Sequence, residues 1–92
     1  NTSPNYLKAD IELVRDIQKH KKKEIMMKFL LQYCNDTGTI LIAEGIETAE
    51  ELECLHRLGV HYGQGYFIGK PDRLFKSTSN KAALLLQKLN MR

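Results

Sequence analysis

The stretch Thr39-Ile40-Leu41-Ile42-Ala43 is almost continuously apolar and rich in β-branched residues, the pattern of a strand covered on both faces. A few residues later comes Thr48-Ala49-Glu50-Glu51, in which the Thr48 hydroxyl can accept from the N–H of Glu51 while the Glu51 carboxylate returns to the N–H of Thr48. A strand running straight into a capped helix is the repeating unit of a parallel α/β fold, and the rest of the chain falls into line with it.

Upstream, Met26, Phe29, Leu30, Tyr33 and Cys34 recur at helical spacing and predict one apolar face. Gly38 stands where a left-handed terminating residue belongs. Before that helix, residues 6–10 suit a short strand ending in charge, and Ile11 to Ile17 a helical turn. After Glu51, the residues Leu52, Leu55 and Leu58 point inward, and Gly59-Val60 supplies a helix stop. A third strand is expected over residues 61–68, where Gly63 and Gly65 signal close approach by a ligand or another backbone. Past Pro71, the spacing of Ala82, Leu85, Leu86 and Leu89 predicts a last amphipathic helix within residues 77–92. The order strand, helix, strand, helix, strand, helix implies parallel βαβ units joined right-handedly, with any site at the C-terminal ends of the strands.

Composition narrows the class. At 92 residues there is room for one small domain only, and 42% hydrophobic with 27% charged residues excludes a disordered chain. The net charge of +3 owes much to Lys19, Lys21, Lys22 and Lys23; this run reads as a solvated helix end. No aromatic residues alternate with it to stack on bases, so a nucleic-acid polymer is not an expected partner. Cys34 and Cys54 lie in apolar helical patterns and read as reduced core thiols of a cytoplasmic protein. No apolar run approaches the roughly 18 residues of a membrane span, although an upstream segment could anchor a longer protein. Asn1 is not a methionine and an apolar segment follows almost at once, so the expectation is a chain entered in the middle of a longer protein.

Applied to these elements, the rule of the C-terminal strand ends selects Lys8 and Asp10, then Glu44 and Glu47, then Gln64 and Tyr66. One rim would thus carry an ammonium, several carboxylates and an amide, a set suited to divalent-metal chemistry on an anionic substrate. A purely structural reading of the same positions stands beside it: a glutamate at a strand-to-helix junction stabilises the helix dipole, and Lys8 pairs with Asp10.

At Lys8-Ala9-Asp10, Ala43-Glu44-Gly45-Ile46-Glu47-Thr48 and Gln64-Gly65-Tyr66-Phe67-Ile68-Gly69-Lys70-Pro71, the sequence resembles the EAL-domain family of cyclic-di-GMP phosphodiesterases. The resemblance runs from about Ser3 to Pro71 in matching order and spacing. It implies an α/β fold made of the last three βα units of a TIM-type barrel with parallel strands, residues 1–76 forming the C-terminal part of the domain. It further implies hydrolysis of cyclic-di-GMP to linear pGpG with two Mg²⁺ or Mn²⁺ ions. Lys8 matches the lysine that holds the attacking water, and Glu44 a metal ligand and general base. Asp10, Glu47 and Gln64 match supporting or substrate-binding positions.

Ala9 departs from the family in replacing a larger aliphatic residue. More consequentially, the EAL motif itself, the asparagine and glutamate that follow it, and the paired aspartates that precede the lysine segment are absent from these 92 residues. The expectation is therefore a fragment inactive by itself, completed by the missing N-terminal half of the domain and prone to self-association or homodimerisation through its open barrel edge. The alternatives are a degenerate EAL domain that serves as a cyclic-di-GMP-binding or protein-interaction module, and a free-standing βα domain alike in fold only.

Overall fold

Alternation along each strand sends one set of side chains to the helices and the other to the opposite face of the sheet, and a computed structural model makes the division visible over residues 5–65 and 72–74. The elements are β1 (Asn5–Ala9), α1 (Ile11–Val14), a 3₁₀ turn (Ile17–Lys19), α2 (Lys21–Thr37), β2 (Thr39–Ile46), α3 (Ala49–Leu58), β3 (Tyr62–Gly65) and β4 (Asp72–Arg73). They form a mixed sheet of order β1-β2-β3-β4. The pairs β1–β2 and β2–β3 are parallel, as the alternation of elements predicts. The exception is β4, which returns antiparallel along β3. Its two residues are too short to carry a period, so nothing in the sequence announces it. The third strand occupies only Tyr62–Gly65 of the expected span, and residues 66–68 and the expected C-terminal helix lie outside the described residues.

On the helix side, Ala9, Leu41 and Ala43 meet Val14, Ile17, Met27, Cys34, Leu52 and Leu55 in one core. Each such aliphatic side chain stabilises the fold by about 1.5–3 kcal/mol on burial. The two longer described helices are ended as the sequence indicates: Gly38 closes α2 at φ 67°, and Gly59 closes α3 at φ 96° with Val60 buried behind it. Cys34 and Cys54 are free thiols in this interior.

The buried face of α2 is a correction. Met27 and Cys34 face the core, with Leu30 and Leu31 partly buried between them, whereas Met26, Phe29 and Tyr33 of the predicted face are exposed. Apolar residues lie on two adjacent faces of this helix, so its periodicity is compatible with either face turning inward. The lysine run is likewise only partly a solvated end. Lys21 and Lys22 are exposed, but Lys23 Nζ donates to the carbonyls of Glu12 and Arg15, at 2.6 and 2.7 Å. It thereby satisfies carbonyls that the short α1 leaves without helical partners.

Candidate functional site

Register decides which side chains can meet. Lys8 is level with Ile42, and Ile42 with Tyr62, so these three share the sheet face opposite the helices. Two residues further along their strands, Glu44 and Gln64 return to that same face. The face is open: Tyr6, Lys8, Ile40, Ile42, Tyr62, Asp72 and Arg73 line a hollow of about 600 Å³. At the C-terminal end of the strands, Ile11, Glu44, Gly45, Gln64 and Gly65 line a smaller one of about 240 Å³.

A bulge aims Glu44. Between Ala43 and Ile46 β2 advances three residues while β3 advances two, from Gly63 to Gly65. The extra residue is accommodated at Gly45, whose φ of 75° suits glycine. A Cβ there would also lie 2.9 Å from Cγ1 of Ile11. Gly65 answers the question posed by the glycines of this strand: a Cβ would run into the backbone of Ile46, 2.6 Å from its N. The close approach is therefore made by another backbone.

Lys8 Nζ lies 3.5 Å from Glu44 Oε2, with the two side chains 57% and 26% exposed. A pair as exposed as this contributes about 0–1 kcal/mol, so it is not what holds β1 to β2. Gln64 Oε1 is buried and has no hydrogen-bond partner among the described residues; an acceptor in that condition costs about 1–3 kcal/mol unless something else occupies it. The arrangement thus offers a cation, an anion and an unsatisfied amide oxygen on one rim.

The other expected residues are engaged differently. Asp10 does not pair with Lys8 but caps α1, accepting from the N–H of Glu12 at 3.2 Å. Glu47 is paired across the rim with Arg15, at 3.4 Å. Tyr66 lies outside the described residues. Arg15 is a rim residue that the spacing of motifs did not single out; a contact spanning 32 positions leaves no local signature. Among the described residues no three His, Cys, Asp or Glu side chains cluster so as to hold a metal ion. Glu44 could serve as one ligand, but these residues alone do not fit a divalent ion.

Comparison with known proteins shows the family. The EAL domain family matches residues 1–71. The cyclic di-GMP phosphodiesterase PdeB of Shewanella oneidensis is 31% identical over 70 residues, covering 76% of this chain and 8% of its own. The cyclic di-GMP phosphodiesterase TpdA of Vibrio parahaemolyticus is 37% identical over 65 residues, covering 71% of this chain and 11% of its own. Among solved structures, a manganese and cyclic-di-GMP complex of Klebsiella pneumoniae BlrP1 superposes with a TM-score of 0.69 at 36% identity, over 76% of this chain and 18% of that one. The chain thus spans only a small part of the relatives it matches, and within that part it belongs to the EAL-domain family.

Proposed function

We propose that this chain is the C-terminal portion of an EAL phosphodiesterase domain that hydrolyses cyclic-di-GMP to linear pGpG. The observation that carries the reading is the approach of Lys8 to Glu44, at 3.5 Å, beside the unpartnered amide oxygen of Gln64. In the reaction a water oxygen bonds to phosphorus, the bond from phosphorus to the ribose oxygen breaks, and the water proton passes by way of Glu44 to the departing oxygen. Lys8 steadies the attacking water and the charge gathering on the phosphate oxygens. Glu44 orients that water and accepts its proton. Gln64 hydrogen-bonds the nucleotide, and Asp10 and Glu47 hold the two loops that border the rim.

Divalent ions, Mg²⁺ or Mn²⁺, belong to the proposal for the complete domain, with Glu44 as the ligand this chain supplies; bound there, they would polarise the phosphate and its water. The remaining ligands would have to come from other parts of the domain, and the 92 residues alone are expected to be inactive.

The test is to incubate the complete domain, and separately the 92-residue chain, with cyclic-di-GMP and Mn²⁺ and to separate the products by chromatography. pGpG from the domain and none from the chain supports the reading. Tight binding by the domain without turnover would instead make it a nucleotide-binding module, and pGpG from the chain alone would overturn the account of its missing ligands.

A further inference from the structure

Glu51 is the charged side chain most withdrawn from solvent among the described residues, at 1% exposure. Burying a carboxylate costs several kcal/mol unless hydrogen bonds replace its water, and here three backbone N–H groups do so. Oε1 accepts from Glu47 and Thr48, at 2.8 and 3.2 Å. Together with the bond from the Glu51 N–H to Thr48 Oγ1 at 3.1 Å, this completes the capping box of α3. A capping box asks nothing of the second oxygen. Yet Oε2 accepts from the N–H of Asp16 at 2.8 Å, a residue 35 positions away in the loop that follows β1.

Asp16 is also where the described chain adopts a left-handed conformation without glycine, at φ 53°. Such a residue costs about 1–3 kcal/mol and persists where its surroundings hold it. The bond to Glu51 is part of that hold. The loop after β1 is held at two more points, by Arg15 pairing with Glu47 of the loop after β2 and by Ile11 packing on Gly45 in the bulge of β2. One loop begins at Asp10, two residues after Lys8, the other at Glu47, three residues after Glu44. The pairing of β1 with β2 brings those two side chains together, the fixing of the loops beyond the strand ends adjusts their separation, and the link between the loops that lies in the interior is the Glu51 carboxylate.

We propose that Glu51 is a positioning residue: through the N–H of Asp16 it locks the loop after β1 to the loop after β2, and so sets Lys8 against Glu44. The proposal rests on the phosphodiesterase reading for its effect on turnover, and on geometry alone for the lock.

Glu51→Gln separates the two duties. With its single carbonyl oxygen on the paired N–H groups of Glu47 and Thr48, the amide nitrogen faces the N–H of Asp16, donor against donor, so the cap survives and the lock is lost. Thr48→Ala does the reverse, weakening the cap and leaving the lock. Both variants would be made in the complete domain and measured well below the melting temperature. The expected result for Glu51→Gln is a kcat lower by about tenfold to 10²-fold, the range for a misplaced catalytic group, with KM changed by less than about threefold. Amide exchange over residues 11–19 should be faster. Thr48→Ala should lower the melting temperature with kcat unchanged. A Glu51→Gln domain with unaltered kcat, or with unaltered exchange over residues 11–19, overturns the proposal. If the unsubstituted domain proves inactive, the phosphodiesterase reading fails by itself. Exchange over residues 11–19 then decides the lock alone: faster exchange supports it, and unchanged exchange overturns it.

Discussion

Helices α2 and α3 flank the same strand, but they relate to the core in different ways. In α3, the apolar residues lie in one stripe, and both Leu52 and Leu55 are sealed beneath it. In α2, Met27 and Cys34 are sealed while Met26, Phe29 and Tyr33 stand in solvent, Phe29 at 67% exposure. The first helix is finished by this chain alone. The second carries a further apolar face, of the kind that marks a contact surface, and it sits beside β1, a sheet edge among the described strands.

Several substitutions would break or sharpen this contrast. The largest effect on stability is expected on the α3 side. Leu55→Ala should cost about 2–5 kcal/mol, as deletion of a fully buried leucine does, read as a shift in the denaturation midpoint. Gly65→Ala should be of similar severity, because its Cβ would have to displace the backbone of Ile46; loss of soluble protein or a strongly lowered melting temperature would register it. On the α2 side, Phe29→Glu should change folding stability by no more than about 0.5 kcal/mol, the ordinary value for a surface site. It should instead raise the monomer fraction of the isolated chain in sedimentation, where we expect the unsubstituted chain to self-associate. A Phe29→Glu chain that unfolds would place that face in the core and abolish the distinction between the helices. The smallest effect concerns the thiols. Burial pushes Cys34 above its ordinary pKa, and burial with the neighbouring Glu24 carboxylate does the same for Cys54. Thiolate is the reactive form, so alkylation of the native chain at neutral pH should be slow for both and rapid only after denaturation.

The same contrast explains what could be read from sequence. Signals that act within a few residues were legible: the capping box at Thr48, the glycine stops at 38 and 59, and the strand from Thr39, which runs on past the expected stretch to Ile46 and is covered by helices on one face only. The inward face of α2 was not, because two apolar stripes give the same period and only tertiary packing chooses between them. Arg15 with Glu47 and Asp16 with Glu51 were invisible for a related reason: partners more than 30 positions apart leave no mark on local pattern. Asp10, expected at the rim or paired with Lys8, instead caps α1, a role common for aspartate before a helical turn.

The proposed activity rests on Lys8 and Glu44 as one working pair. The most direct test is Glu44→Gln in the complete domain, which keeps the side chain's shape but removes its charge. Cyclic-di-GMP turnover should fall by about 10²-fold or more, the contribution of a general base, with nucleotide affinity within about threefold of the unsubstituted domain. Hydrolysis at a near-normal rate by that variant would contradict the account.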